Sequence, residues 1–246
     1  PRMTSRSSLV HLEHEQLARL ITFRQYVHWG FQEYVDIYRS AWQLNQTLPK
    51  KGRRFRILGL NNSPDWSPVH ADADRDNPDV MKAVWHGEDE SDWARVILDR
   101  VVARKEKALV YCGAHHAFTE YRQPIVNNGK FIRFGDVRVG NHVFEAIGKR
   151  AITVLLHAPW KSDEGYESRW VRAGDGYIDA VLEELDPEYR RFGVDTKDTP
   201  FGRIPGSTAI YRHGYDAFTL GTICDGYVCD GPLGSFEGVT PIRDFV

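Results

Sequence analysis

Three short apolar runs punctuate a chain whose other ordered stretches have helical spacing. That alternation constrains the fold more than any other feature. The runs are "RFRILGLN" at 54–61, the stretch 107–114 around "ALVYCGA", and "RAITVLLHAPW" at 150–160. Between them apolar residues recur every three to four positions, the mark of an amphipathic helix. Residues 10–28 and 31–47 read as two helices broken at Gly30, residues 78–104 as helix in two pieces around Gly87, and "GYIDAVLEEL" as another. "FIRFGDVRVGNHVFEAIG" reads as a turn and a short helix, and 215–231 as one strand or a hairpin. Such alternation predicts an α/β fold, a mostly parallel β-sheet flanked by helices in three layers. No repeat, low-complexity tract or linker divides the 246 residues, so a single domain over 1–246 is expected.

Composition narrows the function classes. The 32 basic and 34 acidic residues nearly cancel, which gives no footing for nucleic acid or an anionic membrane face. No run of about 18 apolar residues is present, so no transmembrane helix is expected. Cys112, Cys224 and Cys229 are odd in number and lack the C-x-x-C spacing of a metal site. Reduced thiols and a cytoplasmic location are the expectation. A small-molecule ligand or substrate is the partner class that remains.

The candidate chemistry gathers where the apolar runs end. In open α/β sheets, ligands sit beyond the carboxyl ends of the strands. The first run delivers Asn61 and Asn62 into a long acidic loop, "HADADRDNPD" at 70–79, which offers oxygen ligands but lacks the spacing of an EF-hand. The second delivers His115, His116, Glu120 and Tyr121, and the third ends at His157. An imidazole titrates near physiological pH and coordinates zinc-like ions, so His116 reads as a general base or metal ligand, with His115 or Glu120 orienting it. Adjacent residues on a strand face opposite ways, so only one of the two histidines is expected to face a cleft. Gly113-Ala114 before them leave room for a ligand or another backbone. "HLEHEQ" at 11–16 has the wrong order for a zincin helix, and no Gly-x-Gly-x-x-Gly, P-loop or Gly-x-Ser-x-Gly occurs.

The order of these pieces resembles the erythromycin-esterase, ChaN, TraB and Tiki superfamily. The resemblance rests on Leu60-Asn61 ending a strand, Arg75-Asp76 and Met81 before a helix, and an apolar strand ending Gly113-Ala114-His115-His116. It spans residues 30–160, and more loosely the ending from Tyr215. It implies a hydrolase in which His116 activates water or holds a divalent metal, with Arg75, Asp76, Asn61 and Tyr121 binding substrate. The alternative it implies is a ChaN-type protein that binds haem or another small ligand without catalysis, with Tyr111, Tyr121 or His116 as iron ligand. The superfamily's Gly-Glu-x-x-His does not occur in residues 1–246, and the resemblance implies that about two strands carrying it precede Pro1. It also places His116 and Arg75 in one cleft, at the ends of neighbouring strands.

Overall fold

The architecture comes from a computed structural model that describes residues 16–20, 30–60, 64–127, 130–161, 170–205 and 219–243. The chain forms two compact units, Pro1–Glu88 with Glu237–Val246, and Asp89–Phe236.

In the first unit, α1 (Gln32–Thr47) buries Val35 and Ala41. The Gln32 amide donates to Thr240 O, and the Glu33 carboxylate accepts from the Thr240 amide, so the start of this helix holds the end of the described chain. Helix α2 (Pro78–Val84) begins where the sequence has its stop and start signals. The Asn77 side chain accepts from the Asp79 and Val80 amides, and Pro78 occupies a first turn that needs no N–H. The acidic loop before it is closed on itself: residues Asp72–Asp76 form a tight helical turn, and Asp74 accepts from the His70 and Ala71 amides.

The second unit carries most of the regular structure. Helix α3 (Glu90–Arg100) is capped by Asp89, whose carboxylate accepts from the Ser91 amide at 2.7 Å. One helical turn, α4 (Ala114–Ala117), precedes an antiparallel hairpin of β1 (Pro124–Asn127) and β2 (Lys130–Phe134). Helix α5 (Val139–Ile147) leads into β3 (Val154–Leu156), which is followed by the small antiparallel pair β4 (Trp160–Lys161) and β5 (Trp170–Val171). Then come α6 (Tyr177–Glu184), β6 (Arg191–Asp195), the single turn α7 (Leu220–Ile223) and β7 (Gly226–Asp230). Strands β3, β7 and β6 form one sheet in that order; β7 runs parallel to β3 and antiparallel to β6. Its core face presents Leu155, Tyr227 and Cys229 to Ile178 and Leu182 of α6.

This overturns the expected fold class. The sheets among the described residues have two or three strands, antiparallel or mixed, and no mostly parallel three-layer sheet is formed. The runs at 54–60 and 107–113 have no regular secondary structure and pair with no strand among the described residues, so they are not the neighbouring strands the sequence predicts. Leu109 is 88% exposed and Tyr111 65%, the reverse of a buried central strand. The physical reason is that an apolar run sets a preference for burial, whereas a ladder also needs a partner and a direction. Residues 131–134, inside the stretch read as a turn and a short helix, instead belong to β2, which pairs antiparallel with β1. Among the described residues no helix is long and apolar enough to cross a membrane. Cys112, Cys224 and Cys229 are free thiols, as expected; burial pushes Cys224 up to about 12.

Candidate functional site

The two histidines lie in the second unit on α4, one helical turn rather than the end of a strand. Successive residues are therefore about 100° apart around an axis, not on opposite faces. The turn is fixed from both sides. Thr153 donates its hydroxyl to Ala117 O at 2.7 Å and accepts from the Thr119 amide at 3.1 Å, which ties α4 to the start of β3. The buried Asn141 donates from Nδ2 to Thr119 O at 2.6 Å and Tyr121 O at 2.9 Å, which ties the following loop to α5. Helix α5 comes so close here that a Cβ on Gly140 would stand 2.4 Å from Phe118 O. The tight approach is thus at Gly140. A Cβ on Gly113 would meet only His116 Cδ2, at an ordinary 3.6 Å.

The partner of His116 is a residue the sequence did not single out. Glu90, first residue of α3, brings Oε2 to 2.9 Å from His116 Nδ1. The two atoms are close but lack hydrogen-bond geometry, so the contact acts through the charge of the carboxylate. Glu90 also accepts from Arg138 Nη1 at 2.7 Å and from the Val139 amide at 2.8 Å, both at the start of α5. Burial raises the Glu90 pKa, but the His116, Arg138 and Val139 contacts together outweigh it and bring the carboxyl down to about 2. A carboxylate held ionised in this way selects the His116 tautomer with its proton on Nδ1, which leaves the Nε2 lone pair available. The His116 side chain is 35% exposed and its ring packs 5.6 Å from that of Trp93.

His115 points elsewhere. It lines an open groove with Phe118, Tyr121, Gln123, Ile125, Arg133 and Arg138, between the β1–β2 hairpin and the start of α5. Burial lowers its pKa, the Arg138 and His116 charges lower it further, and Glu90 opposes them, so the imidazole is neutral near pH 7. Tyr121 is buried with its ring edge-on to Phe118 at 4.8 Å. Glu120 is 51% exposed and 3.9 Å from Lys197, away from both imidazoles. Arg75 stands over the Trp66 ring at 6.0 Å, and Asp76 closes the exposed acidic turn. Both belong to the first unit, whereas His115, His116, Glu120 and Tyr121 belong to the second. Asn61 lies outside the described residues.

A protein-bound divalent cation needs about three or more side-chain or carbonyl ligands. Among the described residues no three His, Cys, Asp or Glu side chains come together in that way, so the residues present do not fit a metal at His116. Haem fits no better: Tyr121 is buried, Tyr111 stands exposed on an unpaired segment, and His116 is engaged by Glu90.

A second polar cluster lies inside the unit. His157, at the end of β3, places Nδ1 2.9 Å from Tyr227 Oη and Nε2 3.5 Å from Asp179 Oδ1. The His157 and Asp179 side chains are wholly buried. One clue to it is legible in the sequence: Asp179 stands a single helical turn from Leu182 on the apolar stripe of "GYIDAVLEEL". Glu90 and Arg138 offer no such clue, because 48 residues separate them. No family model, curated protein or solved structure matches the chain.

Proposed function

We propose that the protein is a hydrolase in which His116, oriented by Glu90, is the general base. The observation that carries this reading is the 2.9 Å approach of His116 Nδ1 to a carboxylate that Arg138 and the Val139 amide keep ionised. In that arrangement Nε2 takes a proton from water as the water oxygen attacks a carbonyl carbon. The Glu90 charge stabilises the imidazolium that forms, and the imidazolium then returns the proton to the leaving group. The groove is lined by His115 and not by His116 and meets the Glu90–His116 pair only at Arg138, so it would hold a remote part of the substrate, an apolar group against Phe118 and Ile125 or an anionic one against Arg133, while the bond to be cleaved lies at the exposed side of the His116 ring. This agrees with the hydrolase that the resemblance implies, in which Gly113-Ala114-His115-His116 fits the Gly-x-x-His of the TraB and Tiki branch.

The test is hydrolysis of a panel of activated esters by the folded protein. His116→Ala is expected to lower the rate about 10²-fold or more and Glu90→Gln less, the size usual for general base catalysis. Full activity in His116→Ala would overturn the assignment. A second reading, retention of a flat ligand without catalysis, is favoured by the Phe118–Tyr121 ring pair beside two guanidiniums. Equilibrium binding of a flat aromatic carboxylate, with no ester of the panel turned over, would favour this second reading.

A further inference from the structure

We propose that His157, Asp179 and Tyr227 form an acid-released latch that holds the strap Gly231–Phe236 closed over the end of β3. The geometry assigns each proton. A carboxylate cannot donate, so His157 Nε2 carries the ring proton toward Asp179 Oδ1, and Nδ1 accepts from the Tyr227 hydroxyl. Both ring nitrogens are thus used, unlike those of His116. The same Asp179 Oδ1 also accepts from the Leu233 amide at 2.7 Å, so one oxygen serves both the imidazole and the strap. Asp179 Oδ2 is buried and has no partner.

The strap leaves β7 at Gly231, whose φ of 123° suits glycine alone. It turns over residues 233–235, and its Phe236 ring stands edge-on to His157 at 6.2 Å. Two ties therefore join it to the cluster, one amide hydrogen bond and one ring contact.

Adding a proton to His157 Nδ1 sets two donors against each other, the new N–H and the Tyr227 hydroxyl. The hydroxyl must turn its own proton into apolar surroundings, and the cation itself is buried. Among the described residues, His157 meets Asp179 from α6 and Tyr227 from β7, and the Cys229 thiol of β7 lies within the field of Asp179. The strap brings only Leu233, Phe236 and a Ser235 hydroxyl already bound to Pro232 O. Asp179 alone favours the imidazolium, and burial outweighs it, so the His157 pKa is lowered. The neutral ring is the folded form. Closure is complete above the ordinary histidine range and is lost as pH falls below it toward the depressed value. Lifting the strap gives the imidazolium its water, because the strap is the segment attached through the shared carboxylate.

Hydrogen exchange of residues 231–236 in the full chain, corrected for the intrinsic effect of pH, tests this. Acidification from about pH 8 to about pH 5 should reduce protection of the strap about tenfold or more, while β6 and β7 stay protected. Asp179→Asn keeps an acceptor for Leu233 but removes the charge that favours the cation in the closed form, so the ring resists protonation there more strongly and acid opening should become larger. His157→Gln should abolish the acid-dependent component. Unchanged strap protection in the unmodified protein overturns the latch. So does the same acid opening in His157→Gln, or a smaller acid opening in Asp179→Asn. Should His157→Gln fail to fold, the first and third measurements decide the matter.

Discussion

Two carboxylate–imidazole pairs stand in the second unit, and they are built in opposite ways. Glu90 meets His116 at Nδ1, receives two further donors from the start of α5, and leaves the ring half-exposed with Nε2 free. Asp179 meets His157 at Nε2, shares its oxygen with Leu233, and leaves Nδ1 occupied by Tyr227 with both side chains fully buried. The chemistry of the groups is the same. Which nitrogen faces the carboxylate, and whether water reaches the other, decides between a base that can act on a substrate and a polar clasp inside a core.

Removing the carboxylate should therefore cost more at the buried pair. Asp179→Ala leaves the Leu233 amide and His157 Nε2 without an acceptor where no water replaces it. Each such group costs about 1–3 kcal/mol, so a loss near 3 kcal/mol is expected in denaturant or thermal unfolding. Glu90→Gln retains one oxygen, for either Arg138 or the Val139 amide, at a site that water can reach, and a loss of about 1–2 kcal/mol is expected. If the two variants unfold alike, the contrast between the pairs is lost.

Acid should separate them next. The Glu90 carboxyl is depressed from its ordinary 4.5 to about 2 in the folded protein. Its contribution is present above 4.5 and fades as pH falls from there toward 2, because the unfolded chain takes up the proton first. Burial lowers the His157 pKa, so its contribution fades higher, as pH falls below the ordinary histidine range. Glu90→Gln should flatten the lower step of the stability–pH curve and leave the upper one; His157→Gln should do the converse. Urea midpoints across the acid range read both steps.

The longer helices were legible in the sequence because their signals are local, whereas the single turns α4 and α7 fall in or at the end of stretches read as strand. Gly87, at φ 69°, ends the α2 segment as its place in the pattern predicts, and Asp89 caps α3 at the expected start of the stronger piece. The sheet was not legible, because pairing is a relation between distant segments. Val154–Leu156 and Gly226–Asp230 are parallel neighbours about 70 residues apart, and nothing within "ITVLL" names that partner. The site divides in the same way. His115 and His116 announced themselves as a pair after a small-residue break. Glu90, which sets the His116 tautomer, belongs to a helix start that reads as ordinary capping chemistry. Arg75 was joined to them by the resemblance and by reading 54–61 and 107–114 as neighbouring strands, and it stands in the other unit.

The smallest expected effect belongs to Glu120, the carboxylate that sequence proximity put beside the histidines. Four residues separate it from His116, and after a single helical turn the chain has already left α4. Its side chain is 51% exposed and its nearest opposite charge is Lys197 at 3.9 Å, itself 40% exposed. A pair so open to water is worth between nothing and about 1 kcal/mol, because solvent and salt screen it and two long side chains must be held in place. Glu120→Gln should therefore shift the unfolding midpoint by less than about 0.5 kcal/mol, and less still in high salt. It should also leave ester hydrolysis at the unmodified rate, whereas Glu90→Gln lowers it. A loss of rate in Glu120→Gln comparable to that in His116→Ala would move the orienting role from Glu90 to Glu120, and the contrast between the open and buried pairs would then have to be drawn around a different carboxylate.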